Sequence, residues 1–201
     1  MSDERLNATG WNQRYLSKDM GWDKGRCAPP IARMIKEAII PRGARVAVVG
    51  AGRGFEAFAA AIAGYQVTAI DFAPEAIKAM QERLLGSNVS FEPVEADVFT
   101  LHERYPQAFD AVIEHTCYCA IDPSTRDRYV TAIEGALVPG GRLVGLFYNH
   151  GRTGGPPFDT TEADVRARFS KFSFERFVKA KDSFPGRENE EWEAVLRSTI
   201  S

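Results

Sequence analysis

Along this chain the spacing of apolar residues switches repeatedly between short continuous runs and recurrences every three or four positions. Ile31, Met34, Ile35, Ala38 and Ile39 recur at helical spacing just after Pro29-Pro30, and Pro41 and Gly43 close that segment. The run Val46 to Val49, between Arg45 and Gly50, is then short, apolar and rich in β-branched residues, which predicts a buried parallel strand. The same alternation follows: a helix over 55–62, a strand over 66–70 and a helix from Pro74 with Ile77, Met80 and Leu84 inward. A short strand over 90–94 comes next, then a strand over 110–114. A helix opened by Asp122-Pro123 has Tyr129, Ile133, Ala136 and Leu137 as its stripe, and Pro139-Gly140-Gly141 turns into a strand over 142–148. Thr161 and Asp164 are spaced to cap one more helix, and residues 171–201 read as two strands joined at Pro185-Gly186.

Repeated strand–helix units predict a mostly parallel sheet with helices on both faces. Ligands of such sheets bind at the carboxyl ends of the strands, near the point where strand order reverses. The chemistry is therefore expected in residues 50–54, 71–72, 97–99, 114–119 and 148–156. The 201 residues suffice for one sizeable core and are few for two, so one domain over 1–201 is expected. A formal net charge of -2 gives no basic field, which argues against nucleic acid or an acidic membrane as partner and for a small molecule. The polar start and the lack of a long apolar run give no targeting or membrane segment. Three cysteines without a secretory signal suggest free thiols, and a cytoplasmic location is expected. Cys117 and Cys119 have no second pair to complete a zinc site and read as small apolar packers, so no metal is expected.

The strongest local signal is Gly50-Ala51-Gly52-Arg53-Gly54 between a strand and a helix. Glycines let a ligand approach the main chain, and the helix start offers free N–H groups. Counted from Gly52, the spacing also fits a dinucleotide fingerprint with Ala57 in sixth place, so a nicotinamide or flavin enzyme stays open at this point. Asp71, at the end of the second strand, is placed to accept from ribose hydroxyls or to cap the following helix. Asp97 after the third strand could accept from an adenine amino group, with Val98 and Phe99 packed on the ring.

Three further segments make the chain resemble the thiopurine S-methyltransferase superfamily, and within it the thiol and halide methyltransferases. They are Trp22-Asp23-Lys24-Gly25-Arg26 with Pro29-Pro30, Cys119-Ala120-Ile121-Asp122-Pro123 with Arg126, and Gly154-Gly155-Pro156-Pro157-Phe158. The resemblance implies a single Rossmann-like, seven-stranded methyltransferase domain that uses S-adenosylmethionine. It implies cofactor contacts by Trp11, Trp22, Gly50, Gly52, Asp71, Phe72, Asp97, Val98 and Phe99, with Glu114-His115 near the methionine end. The family more often has Asp-Tyr at those two positions. Residues 1–28 are expected to fold over the cofactor as a lid, unless Trp11 and Trp22 only anchor a helix to the core.

Methyl transfer from a sulfonium is an in-line displacement in which positioning does most of the work. A thiol, with a pKa of about 8.5, is partly ionised near neutrality, which makes a strong base optional. The acceptor pocket is expected around His115, Cys117, Tyr118, Tyr148 and the 154–158 loop. Tyr148 is the first choice for orienting the acceptor, and His115 for taking a proton. His150 has a weaker claim. Oligomeric state is left open, and an oxygen or nitrogen acceptor, a nicotinamide oxidoreductase and a non-catalytic cofactor-binding protein remain as alternatives.

Overall fold

The structure, a computed structural model, describes residues 4–199. The ends of the expected 1–201 domain, and the first residues of the expected lid, lie outside the described residues.

Seven strands form one sheet: β1 (Arg45–Val49), β2 (Gln66–Asp71), β3 (Glu92–Glu95), β4 (Phe109–His115), β5 (Leu137–Tyr148), β6 (Phe172–Lys179) and β7 (Glu191–Ser198). Their order is β3-β2-β1-β4-β5-β7-β6, parallel throughout except for β7, which is antiparallel to both β5 and β6. Successive side chains of a strand point to opposite faces, and here both faces are dry. Val46 and Val48 join a core with Ile31, Met34, Ala57, Ala60 and Met80. Ala47 and Val49 join another with Leu101, Tyr129, Ile133 and Val165. The first core is covered by α2 (Pro29–Lys36), α3 (Phe55–Ile62) and α4 (Pro74–Leu84). The second is covered by α5 (Leu101–Arg104), α6 (Arg126–Ala136) and α7 (Glu162–Arg168). Helices change face between β1 and β4, so the switch point lies beyond the ends of those two strands. Outside both layers, α1 (Ala8–Ser17) lies over the carboxyl end of the sheet.

The layered α/β architecture agrees with the sequence pattern, and the local differences have physical causes. The helix expected through Ile39 stops at Lys36, because Ala38 takes φ 55 and reverses the chain. Ile39 nevertheless packs on the core, which is why the apolar spacing ran on. Residues 139–141, expected as a turn, lie inside β5, where the register against β4 shifts between Phe109 and Ala111. A shift of this kind absorbs Gly140 at φ 74 without ending the strand. The short helix α5 and the 3₁₀ turn before it, Val98–Thr100, carry too few apolar positions to register as periodic. Thr161 does cap α7, accepting from the Asp164 N–H at 3.1 Å. Pro185-Gly186 lies within a longer connection over 180–190 rather than forming a tight hairpin.

Candidate active site

The loop after β1 is the floor of the site. Gly52 adopts φ 55, a left-handed conformation that costs glycine nothing. Its N–H points at Asp71, whose Oδ2 accepts it at 2.9 Å, while Oδ1 accepts the Ala73 N–H at 3.0 Å. Asp71 thus ties the ends of β1 and β2 together. Burial pushes its carboxyl above the usual range, and the backbone N–H groups around it offset part of that. With the Phe72 N–H as a third backbone donor, the carboxylate keeps one lone pair for a further donor.

The roof comes from the N-terminal segment. Trp22 meets Trp11 edge-on at 5.1 Å and Tyr15 at 5.7 Å, and Arg14 lies over Trp11 at 4.7 Å. The Tyr15 hydroxyl comes so close to Gly52 that a Cβ there would sit 3.3 Å from it. Asp23 pairs with Arg53 of the glycine loop at 3.3 Å. Asn12 Oδ1 accepts the Glu75 N–H at 2.8 Å, so α1 is pinned to the start of α4.

Between floor and roof lies a cavity of about 900 Å³. It is lined by Trp11, Trp22, Gly50, Gly52, Asp71, Phe72, Asp97, Val98, Phe99, His115 and Tyr148 among others. Those eleven sequence-predicted residues therefore share one space. Asp97 is exposed and accepts the Phe99 N–H at 3.0 Å, which shapes the turn carrying Val98 and Phe99. Glu114 is the exception: it does not line the cavity. It is fully buried behind it, where Oε1 accepts the N–H groups of Cys117 and Tyr118 at 2.9 Å each and Oε2 accepts the Tyr129 hydroxyl. The carboxylate organises the loop after β4. Burial raises its pKa to about 6, despite those donors.

The far end of the cavity differs in character. Arg187, 7% exposed, donates from Nη1 to Glu191 Oε1 at 3.2 Å and lies over the Tyr148 ring at 4.8 Å. Tyr148 donates its hydroxyl proton to Glu190 at 3.0 Å and accepts from Arg152 at 2.8 Å. The hydroxyl is thus engaged by Glu190 and Arg152 in both directions, and the ring, under Arg187, is what Tyr148 brings to the site. His115 Nδ1 lies 2.9 Å from Glu56 Oε1, and its Nε2 lies 3.5 Å from Arg187 Nη1. Glu56 Oε1 also accepts the Ala28 N–H at 3.0 Å. Burial works against an imidazolium, but Glu56 outweighs it and leaves His115 above the ordinary histidine range.

Pro156 and Pro157 close this end together with Cys117 and Cys119. Burial raises both thiols, Cys119 to about 12, so they stay protonated and serve as soft, apolar walls. Tyr118 points away, donating to Asp164 at 3.0 Å, and His150 is held against Pro157 O at 3.2 Å behind Tyr148. Arg126, 3% exposed, also reaches Asp164 at 2.9 Å and the Asp159 carbonyl at 3.1 Å, anchoring the strand-five loop to α6.

Sequence reasoning missed Glu56, Arg187 and Tyr15. Glu56 did leave a signal, an acid in the first turn of an alanine-rich helix whose neighbours Ala57 and Ala60 are buried. Arg187 left none, since it follows a Pro-Gly turn in a connection with no periodicity.

A nucleotide-sized cavity over a glycine loop, with an acid at the end of β2 and a small polar chamber at its far end, fits S-adenosylmethionine. Fold and site together define the class of Rossmann-like S-adenosylmethionine-dependent methyltransferases. The sequence model of the family described as Thiopurine S-methyltransferase (TPMT) matches residues 6–198, and the chain belongs to that family. It is 27% identical over 169 residues to the probable thiol methyltransferase 2 of Arabidopsis thaliana, covering 83% of this chain and 74% of that protein. It is 30% identical over 154 residues to thiocyanate methyltransferase 1 of the same plant, covering 74% and 66%. It is 27% identical over 191 residues to the thiopurine S-methyltransferase of Pseudomonas putida, covering 88% of each chain. Among solved structures, the 1,6-didemethyltoxoflavin-N1-methyltransferase of Burkholderia thailandensis, with bound S-adenosylhomocysteine, superposes with a TM-score of 0.74. It is 20% identical, covers 97% of this chain and 88% of that one, and shows the fold.

Proposed function

We propose that this methyltransferase acts on a small, soft, sulfur-centred or anionic nucleophile: a thiol, sulfide, thiocyanate or halide. The observation that carries this reading is Arg187, a buried guanidinium lining the far end of the cavity beside His115 and Tyr148. A cation held in a low-dielectric wall favours an anion next to it. The surrounding Cys117, Cys119, Pro156 and Pro157 offer few hydrogen bonds, which suits a weakly hydrated acceptor better than a polyhydroxylated one.

S-adenosylmethionine supplies a methyl group already activated on a sulfonium. This chain's residues do the rest by holding and enclosing. Gly50 and Gly52 offer close main-chain approach, Asp71 accepts from ribose hydroxyls, and Val98 and Phe99 form an apolar wall for the base. Trp11, Tyr15 and Trp22, on the N-terminal lid, exclude water from above. Arg187 fixes the acceptor, and the Tyr148 ring beneath it holds the guanidinium in place. Positioning of this kind is worth up to about 7–11 kcal/mol in the best intramolecular cases.

The test is to incubate the purified protein with S-adenosylmethionine and sulfide, thiocyanate, iodide, an aromatic thiol or a catechol, and to quantify S-adenosylhomocysteine. Turnover of the sulfur or halide acceptors above the catechol is expected. Turnover of the catechol alone would overturn the acceptor assignment while leaving the enzyme class intact.

A further inference from the structure

We propose that His115, oriented by Glu56, is the general base for the acceptor, so that the preferred substrates are thiols that enter protonated. This narrows the reading above and rests on it, since the acceptor must enter the end of the cavity that His115 lines.

The geometry sets the tautomer. An ionised carboxylate only accepts, so the Glu56 contact at 2.9 Å places the proton of a neutral His115 on Nδ1. Nε2 then carries the lone pair. Arg187 Nη1 lies 3.5 Å from Nε2, the outer limit of a hydrogen bond to that lone pair, so an entering S–H can take its place. Glu56 is itself fixed by the Ala28 N–H at 3.0 Å. A carboxylate–imidazole pair that lines a cavity and whose second nitrogen holds only a long contact is the arrangement of an oriented base. A halide or thiocyanate ion has no proton to give, and a site built only for such ions has no use for the pair.

The step balances without a further reagent. The acceptor S–H bond breaks and its proton goes to His115 Nε2, forming an imidazolium paired with Glu56. The sulfur uses the freed electron pair to form the new S–CH₃ bond, and the pair of the broken bond to the sulfonium stays on the departing sulfur. The imidazolium then returns its proton to water. Arg187 Nη1, released from Nε2 as that nitrogen takes the proton, turns to the thiolate and lowers its energy. The charged groups around His115 are Glu56 from α3, Glu191 from β7, Arg187 from the 180–190 connection and Glu114 on its own strand. Glu56 is the one that draws the base upward, so activity should rise with pH through a midpoint above the ordinary histidine range.

Two readouts test this. The first needs no turnover: ¹⁵N-histidine NMR, with His115 assigned by loss of its signals in His115→Gln. The expected result is an Nδ1–H neutral form whose titration midpoint falls in Glu56→Gln. An Nε2–H form, or a midpoint that Glu56→Gln leaves in place, overturns the pair. The second compares 2-mercaptoethanol, protonated near neutrality, with 4-nitrobenzenethiol and thiocyanate, already ionised. His115→Gln is expected to lower kcat/KM for 2-mercaptoethanol, relative to the ionised acceptors, by about 10²-fold or more. Equal losses on all three overturn the base. A wild-type enzyme that turns over only the ionised acceptors also overturns it, while leaving the soft-nucleophile reading standing. Turnover of none overturns that reading and the base with it.

Discussion

Asn12 caps a helix far along the chain: its Oδ1 accepts the N–H of Glu75, 63 residues on, at 2.8 Å. The residue before that helix, Ala73, has no side chain to do so, and the first N–H groups of a helix need an outside partner. The bond therefore joins α1, the roof of the cavity, to a fixed part of the sheet layer. Asn12→Ala removes a contact with a net worth of about 1 kcal/mol. If closure of α1 is linked to cofactor binding, S-adenosylhomocysteine should bind about fivefold more weakly by calorimetry. An unchanged Kd would separate the helix from the cofactor site.

Gly52→Ala tests the floor. Alanine at φ 55 costs about 1 kcal/mol, and its Cβ would stand 3.3 Å from the Tyr15 hydroxyl. A fall in Tm of about 2–4 °C is expected for a chain of this size. The cofactor should lose about tenfold or more in affinity, since the methyl group projects toward the space between Gly52 and the roof. Retention of wild-type affinity would move the cofactor elsewhere.

Glu114 gives a pH dependence with a definite sign. Its folded pKa, about 6, lies above the ordinary glutamate value of 4.5, so the native state holds this proton more tightly than the unfolded chain does. The term favours folding below pH 4.5 and is lost as pH rises through about 6. Glu114→Gln keeps an oxygen for the two N–H groups and removes the titration. Relative to the wild type, it should gain about 2 kcal/mol between pH 4 and pH 8 in urea unfolding. A difference between the two that does not change with pH would place the shift elsewhere.

Arg187 has both a structural and a functional partner, and paired variants separate them. Arg187→Gln leaves the Glu191 carboxylate buried without its cation, and Glu191 Oε2 already has no partner among the described residues. A loss of about 3–5 kcal/mol in stability is expected. Adding Glu191→Gln should recover most of that stability. It should not recover the KM for thiocyanate or an aromatic thiolate, which is expected to rise about tenfold or more in both variants. Recovery of KM along with stability would make Arg187 a purely structural residue.

The parts of this fold that announce themselves in the sequence are those with a period. β1 after Arg45 and the Ala111–Ile113 centre of β4 are short apolar runs, and α4 and α6 carry a stripe, so the order of layers followed directly. The site was legible where a backbone constraint selects the residue type, at Gly50, Gly52 and Asp71. It was less legible where a side chain is recruited across the sheet. Glu114 sits next to His115, yet the two face opposite ways: one is turned into the protein by Tyr129 and the loop after β4, the other toward Glu56 and the cavity. Adjacency in a strand guarantees opposite faces, and only the packing decides which face is functional. Arg187 meets Glu191 four residues along the same stretch, but the ring of Tyr148 reaches it only through the pairing of β5 with β7.

The strand order β5-β7-β6 has a consequence for how the chain reaches this state. β6 is synthesised before β7 but lies outside it, so it has no neighbour in the sheet until β7 has threaded between it and β5. Pairings of that kind form late, because the chain must close a loop before any bond rewards it. Arg187 and Glu191 sit where this insertion begins. A nascent chain can thus complete the glycine loop and its surroundings while Arg187 still lacks its place at the end of the cavity.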